Sequence, residues 1–283
     1  MMELNLPKPI VEVAWLSRNW NHPDLVILDA SYHLPSTGRD AKTEFLEDHI
    51  PRARFFDFHN VICDLNSDLP HMMPNEKVFS TEVEKLGVSN DSKIVVYDSV
   101  GMFSAPRAWW MFRAMGHDEV AVLNGGLPAW EQFALPDESG EAYEIKKGTF
   151  RANPRKDFFV NKEFVSSILD KEGIKIIDAR SQDRFNALKP EPREGLRSGH
   201  IPGSKNLPYK YLLQHQNMLD VPSLQRAFRQ HAGECDQVVF SCGSGVTACI
   251  LALGAEMAGY KNISVYDGSW TEWGQDESLP VES

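Results

Sequence analysis

The chain has 283 residues, which corresponds to two domains of the usual size of roughly 150 residues each. Its 42% hydrophobic and 24% charged residues are typical of a folded globular protein and exclude a disordered or collagen-like chain. Forty acidic against 29 basic residues give a net charge of -11. Because binding to nucleic acid or to an anionic membrane needs a broad positive surface, we expect neither as a partner.

The cysteines and the N-terminal sequence indicate the compartment. The four cysteines are scattered and form no CxxC pair, which argues against a disulfide framework and a structural zinc site and favours a reducing compartment. The N-terminus has no basic segment followed by a long apolar run, so no secretory signal is expected. The apolar stretch 246–255 is only half a membrane span. We therefore expect a cytoplasmic protein.

Short β-branched runs alternate along the chain with longer segments of helical periodicity. In chain order we predict strands at 25–30, 93–98 and 119–124 with a helix at 105–116, then strands at 174–179, 237–242 and 262–267 with a helix at 246–259. This alternation predicts an α/β fold of two tandem domains, each a mainly parallel sheet flanked by helices. The Pro-, Gly- and charge-rich composition between the halves predicts domains at 1–135 and 158–283, joined by a linker at 136–157.

The two halves are similar to each other. Val95 aligns with Val238, and the alignment continues without a gap to Trp130 and Trp273. The short segment His-Ile-Pro also occurs once in each half. The chain therefore contains two copies of one α/β unit.

The copies differ most at the loop between a strand and the following helix. The second copy has Cys242-Gly-Ser-Gly-Val-Thr247, and the alignment places Ser99 opposite Cys242. A cysteine at the end of a strand, followed by glycines and a helix, is surrounded by backbone N–H groups and the positive end of the helix dipole, which stabilise a thiolate. We predict that Cys242 is a nucleophile and that only the second copy is catalytic.

Other interpretations of this loop are weaker. A free cysteine is commonly a small buried hydrophobe, but such a cysteine needs no glycine-rich loop around it. The phosphate-loop pattern G-x-x-x-x-G-K-[ST] is absent, and the loop contains no lysine. A cysteine phosphatase would need an arginine six residues after the cysteine, where this chain has Ala248.

Together these segments resemble the rhodanese-like sulfurtransferases, in particular their tandem-domain mercaptopyruvate branch. The resemblance covers nearly the whole chain and rests on CGSGVTA, both HIP segments, FSAPRAWW, RFNALKPEPREGLRSGHIPG and YDGSWTEW. It implies a silent first domain and a second domain that transfers sulfur from 3-mercaptopyruvate through a persulfide on Cys242, releasing pyruvate. The implied partners are a small anionic sulfur donor and a small-thiol, thioredoxin-like or cyanide acceptor, with no cofactor or metal, and we expect a monomer.

Alternatives remain for the activity. A thiosulfate sulfurtransferase could use the same scaffold, although family members that prefer thiosulfate carry Arg and Lys after the cysteine, which suits a dianion. A noncatalytic persulfide carrier and a cysteine-dependent hydrolase are the other candidates.

The resemblance also implies site residues. Arg184 and Arg193 resemble substrate-binding arginines, and a planar guanidinium is suited to holding both oxygens of a carboxylate. In the loop, Ser244 would act on the substrate, while Gly243, Gly245, Val246 and Thr247 would contact it. His49 and Asp40 of the first domain are candidate partners of Ser244.

Several of these roles have structural alternatives. Because His200 repeats His49 in the second copy, both could anchor a loop. Arg197 is a further candidate cation for the substrate, whereas Arg180, directly after a strand, is expected to be structural. Core packing is the favoured role of Trp109, Trp110, Trp130, Trp270 and Trp273.

Overall fold

The computed structural model describes residues 4–141 and 145–283. The chain divides into two compact units. Unit 1 contains the described residues within 1–65, 74–155 and 215–217, and unit 2 contains 66–73, 156–214 and 218–283. Each unit thus takes a short segment from the other half of the chain.

These units differ in detail from the predicted domain boundaries. Most of the predicted linker belongs to unit 1, where the N–H of Gly148 donates to the carbonyl of Glu84 at 2.9 Å and the N–H of Asn153 donates to Met115 at 2.8 Å. The described residues of this segment form no helix or strand, and loop contacts of this kind hold their backbone. Composition therefore did not indicate that it packs on unit 1.

Unit 1 contains a five-stranded sheet. Its elements are β1 (Ile10–Val11), α1 (Val13–Asn19), β2 (Leu25–Asp29), a 3-10 helix (Pro35–Thr37), α2 (Ala41–Glu47), β3 (Arg54–Phe55), α3 (Glu76–Lys85), β4 (Lys93–Tyr97), α4 (Ala105–Ala114), β5 (Val120–Leu123) and α5 (Gly126–Gln132). The strand order is β1-β5-β4-β2-β3, and all neighbours are parallel.

Unit 2 repeats this architecture. Its elements are β6 (Phe159–Val160), α6 (Lys162–Ser167), β7 (Ile174–Asp178), α7 (Gln182–Phe185), β8 (Lys205–Asn206), a 3-10 helix (Tyr209–Leu212), β9 (Leu213–Gln214), β10 (Asn217–Met218, whose first residue is assigned to unit 1), α8 (Val221–His231), β11 (Gln237–Ser241), α9 (Ala248–Ala258), β12 (Ile263–Tyr266) and α10 (Ser269–Gln275). The five-stranded sheet has the order β6-β12-β11-β7-β8 with parallel neighbours, and β9 and β10 form a separate pair. The predicted α/β fold with two parallel sheets is confirmed.

Each unit has its own apolar core around the central strands. The five tryptophans predicted to pack in the core are each at most 1% exposed. Indole nitrogens find matching partners in the two copies, since Trp130 donates to the carbonyl of Pro136 and Trp273 to that of Pro280, both at 2.8 Å. In the described residues, no helix is long and apolar enough to cross a bilayer.

The helix after β11 begins later than its sequence predicted. The predicted start is Val246, whereas α9 begins at Ala248 and ends before Gly259, which has a left-handed backbone. Residues 242–247 therefore form a loop between the carboxyl end of a central strand and a helix. This position is the usual ligand-binding edge of a parallel sheet.

Candidate active site

Cys242 is the first residue after β11 and is 1% exposed. It forms no disulfide, and neither do the other three cysteines. Strand β11 lies in the middle of the sheet between β7 and β12. The backbone around the cysteine is therefore fixed by the core of unit 2.

Strand register identifies the counterpart of this position in unit 1. Asp29 of β2 is paired with Tyr97 of β4, and Asp178 of β7 is paired with Ser241 of β11. The two aspartates are equivalent in the repeat, because each is the last residue of its strand and follows a similar apolar run, LVIL in β2 and IKII in β7. The last residues of β4 and β11 are therefore equivalent as well.

The counterpart of Cys242 is thus Asp98. The carbonyl of Asp98 accepts a hydrogen bond from the N–H of Leu127, and the carbonyl of Cys242 accepts one from Trp270, both at 3.0 Å. The predicted pairing of Cys242 with Ser99 is wrong by one residue. The loop after β4 is one residue longer than the loop after β11, and a gapless alignment cannot register that difference.

The side chain of Asp98 occupies the centre of the loop in unit 1 and is 0% exposed. Its two carboxylate oxygens accept five backbone hydrogen bonds of 2.8 to 3.0 Å, donated by Val100, Gly101, Phe103, Ser104 and Ala105. The loop is therefore an anion-binding nest of N–H groups that is filled by its own carboxylate.

The loop of unit 2 contains equivalents of these N–H groups. Counted back from the first residue of the helix, Val246, Thr247 and Ala248 correspond to Phe103, Ser104 and Ala105 of unit 1. Counted forward from the end of the strand, Ser244 corresponds to Val100. In the described parts of the chain, these four N–H groups donate to no protein acceptor. The loop is preorganised to accept negative charge on the side chain of Cys242.

Helix α10 holds the opposite side of the loop. The N–H of Thr271 donates to the carbonyl of Gly243 at 2.9 Å, and its hydroxyl donates to the same oxygen at 2.6 Å. The N–H of Trp270 holds the carbonyl of Cys242. The carbonyls of Cys242 and Gly243 therefore point toward α10.

Two arginines lie beside this loop, as the sequence predicted. A Cβ atom on Gly243 would be 3.2 Å from Nη2 of Arg184 and 4.0 Å from Nη1 of Arg193. Nη2 of Arg193 is 3.4 Å from the hydroxyl oxygen of Ser244. The structure therefore brings the cysteine loop, Ser244 and both guanidinium groups together.

Sequence reasoning missed Glu191, which holds one of these arginines. Its side chain is 2% exposed. It accepts hydrogen bonds from Nη1 of Arg180 at 2.8 Å and from Nε of Arg184 at 3.1 Å, and it also binds Nη2 of Arg184. Acidic residues in a charge-rich loop are usually solvated, so the sequence contained no signal for a buried carboxylate between two arginines.

The other two arginines have structural roles. Arg180 is paired with Asp178, and its guanidinium carbon lies 4.4 Å from the ring centre of Trp270. Among the described residues, the guanidinium of Arg197 donates to four backbone carbonyls, namely those of Trp273, Gly274, Asp276 and Leu279. Arg180 is thus structural, as expected, and Arg197 is occupied by the chain itself and is a poor candidate for the substrate.

His49 and Asp40 belong to unit 1, whereas Cys242 belongs to unit 2. Nδ1 of His49 is 2.7 Å from the carbonyl oxygen of Phe45, on whose ring the imidazole stacks at 4.2 Å, and Asp40 caps the N-terminus of α2. His200 has the same arrangement, 2.8 Å from the carbonyl oxygen of Phe185 and stacked on its ring at 3.7 Å. These contacts are structural, and a catalytic role for His49 or Asp40 stays a prediction.

Within the described residues, no group of three or more His, Cys, Asp or Glu side chains could hold a metal ion. The candidate site thus consists of a thiol, a nest of backbone N–H groups, a serine hydroxyl and two guanidinium groups. Such a set can bind a small carboxylate and stabilise negative charge on sulfur.

Comparison with known proteins agrees with this description. The family model described as Rhodanese-like domain matches residues 12–133 and 161–276. The 3-mercaptopyruvate sulfurtransferase of Mus musculus is 40% identical over 94% of this chain and 92% of its own. Thiosulfate/3-mercaptopyruvate sulfurtransferase 1, mitochondrial, of Arabidopsis thaliana is 42% identical over 98% of this chain and 78% of its own.

Solved structures share the architecture. A crystal structure of SseA from Escherichia coli, described as showing the rhodanese fold and catalytic mechanism of 3-mercaptopyruvate sulfotransferases, superposes with a TM-score of 0.85 at 36% identity. The superposition covers 93% of this chain and 99% of that one.

Proposed function

The chain belongs to the rhodanese-like family, and from this premise we propose that it is a 3-mercaptopyruvate sulfurtransferase. It moves the donor's sulfur through a persulfide on Cys242 to a small thiol, a thioredoxin-like dithiol or cyanide, and it releases pyruvate. The observation that carries this proposal is the internal comparison of the two loops. Backbone N–H groups that bind a carboxylate in unit 1 have equivalents in the loop that follows Cys242 in unit 2.

In the first step, the Cys242 thiolate attacks the sulfur of 3-mercaptopyruvate. A sulfur–sulfur bond forms and the carbon–sulfur bond breaks, with its electron pair leaving on carbon as the pyruvate enolate. The proton of the donor thiol ends on that carbon and completes the methyl group of pyruvate. The negative charge remains on the persulfide, where the loop N–H groups stabilise it.

In the second step, an acceptor thiolate attacks the outer sulfur of the persulfide. The bond between the two sulfurs breaks, its electrons return to Cys242 as thiolate, and the acceptor leaves as a persulfide. With cyanide as acceptor the product is thiocyanate. The cycle regenerates the free thiolate without a cofactor.

Charge at the site supports a donor with one negative charge. The charged groups beside the loop are two carboxylates and three guanidinium groups, from Asp178, Glu191, Arg180, Arg184 and Arg193. One positive charge is left over, and among the described residues Arg193 has no acidic partner. The carboxylate of mercaptopyruvate matches one uncompensated guanidinium, while Ser244 can donate to the same donor molecule.

Thiosulfate is the second candidate donor, because the name of the Arabidopsis relative includes it. Its two negative charges fit this site less well, since the loop 243–247 adds no cation. Steady-state kinetics with each donor decide the question. We expect a larger kcat/KM for mercaptopyruvate, and a larger value for thiosulfate would reject the proposed donor.

Mass spectrometry tests the persulfide directly. After reaction with mercaptopyruvate and no acceptor, we expect an adduct of about 32 Da on Cys242. The Cys242→Ser variant should form neither adduct nor pyruvate, whereas Cys235→Ser, at a half-buried cysteine, should retain both. Pyruvate release with an unmodified Cys242 would refute the mechanism, and loading without turnover would indicate a sulfur carrier.

A further inference from the structure

Ser269, the first residue of α10, has an unusual backbone conformation. Its φ is 50°, in the left-handed region that residues other than glycine rarely adopt. In unit 1 the equivalent residue precedes Leu127 and is Gly126, with φ 56°. A serine at this position is strained, so its side chain must supply an interaction that glycine cannot.

The hydroxyl of Ser269 supplies that interaction at the cysteine loop. Its oxygen accepts hydrogen bonds from the N–H of Cys242 and the N–H of Gly245, both at 3.1 Å, and it donates to the carbonyl of Tyr266 at 2.8 Å. One donor and two acceptor positions are all that a hydroxyl has. The residue is 0% exposed, and its oxygen lies 4.0 Å from Sγ of Cys242.

Comparison with unit 1 shows that the N–H of Gly245, which the hydroxyl binds, is not one of the nest N–H groups. Gly245 is two residues before the last loop residue, and the corresponding residue of unit 1 is Met102. The carboxylate of Asp98 binds the N–H groups on both sides of Met102 but not that of Met102 itself. Ser269 therefore binds an N–H group that lies outside the nest.

From this geometry we propose that Ser269 is a positioning residue for the sulfur-carrying loop. It holds the two N–H groups that point away from the nest, at either end of the Cys242–Gly245 turn, so that the remaining N–H groups converge on sulfur. This inference rests on the proposed function, because it specifies how the persulfide of that reaction is stabilised. Unit 1 needs no such hydroxyl, since the carboxylate of Asp98 organises its loop from inside.

Two substitutions separate the hydroxyl from the backbone strain. Ser269→Gly removes both, whereas Ser269→Ala removes the hydroxyl and keeps the strained Cβ. In both variants we expect the rate of Cys242 alkylation by iodoacetamide at pH 7, and kcat/KM for mercaptopyruvate, to fall by at least about 10-fold, the usual scale for losing a group that orients an active site. The pH at which alkylation reaches half its maximal rate should rise, and Ser269→Gly should unfold at a higher temperature than Ser269→Ala.

A matched control is Ser204→Ala, which removes a buried hydroxyl of unit 2 that donates to the carbonyl of Ile201 at 2.6 Å. It should retain the alkylation profile and kcat/KM of the wild type, measured well below the unfolding temperature. If either Ser269 variant retains both wild-type values, or if only its unfolding temperature changes, the inference is overturned. Failure of the proposed function would appear separately, as a wild-type protein that forms no persulfide on Cys242.

Discussion

Replacing Asp98 with alanine removes the anion around which the loop of unit 1 is folded. Five backbone N–H groups lose their acceptor at a site that is 0% exposed. One hydrogen bond to a charged group contributes roughly 1.5 to 3 kcal/mol, but five bonds to one carboxylate are not additive. A buried N–H group that is left without an acceptor costs about 1 to 3 kcal/mol, and because the five are not additive we expect a total loss of about 3 to 5 kcal/mol.

Urea unfolding followed by tryptophan fluorescence measures this loss. Asp91→Ala, at an exposed aspartate close to the start of β4, is the control and should change the free energy of unfolding by less than about 0.5 kcal/mol. Sulfate should raise the unfolding temperature of Asp98→Ala by more than that of the wild type, because the emptied nest can bind it. A loss below about 1 kcal/mol in Asp98→Ala would refute the view that the carboxylate organises the loop.

Three further predictions concern single residues. Arg184→Ala should raise KM for mercaptopyruvate by about 10- to 100-fold, since one charge-assisted hydrogen bond to the substrate is lost. The control Arg229→Ala, at an exposed site, should leave KM unchanged. Equal KM values in the two variants would refute substrate binding by Arg184. Glu191→Gln adds one uncompensated positive charge and should raise the ratio of kcat/KM for thiosulfate to that for mercaptopyruvate by about 10-fold, whereas Glu194→Gln on the exposed part of the same loop should not. Burial raises the pKa of Asp29 to about 7, so between pH 4 and 7 the folded state holds a proton that the unfolded state has released, and stability falls as pH rises through this window. As the pH rises from 5 to 8, the unfolding temperature of Asp29→Asn should therefore increase relative to that of the wild type. A difference in unfolding temperature that does not change with pH would contradict the raised pKa.

The main features of the fold are local properties of the sequence. Apolar runs between turn residues mark the central strands, and the repeat of those runs predicts two similar sheets. The candidate nucleophile, Cys242, is also visible locally, because a cysteine followed by Gly, Ser and Gly between a strand and a helix is a chemical pattern within a few residues. The resemblance of their segment to the family likewise predicts Arg184 and Arg193 as site residues, and the structure places both beside the cysteine loop.

Other features depend on contacts between residues that are distant in sequence. The match between Cys242 and Asp98 required the strand register, because a loop that is one residue longer has no apolar pattern to show where the extra residue lies. Glu191 resembles a surface carboxylate until its two arginine partners are seen. Ser269 is an ordinary serine in the sequence, and only its left-handed backbone and the two N–H groups on its hydroxyl assign it to the cysteine loop. The sequence by itself identified Cys242 as the candidate sulfur carrier, while the tertiary structure decided which groups hold its loop, since a hydrogen-bond partner is fixed by distance in space and not by position in the chain.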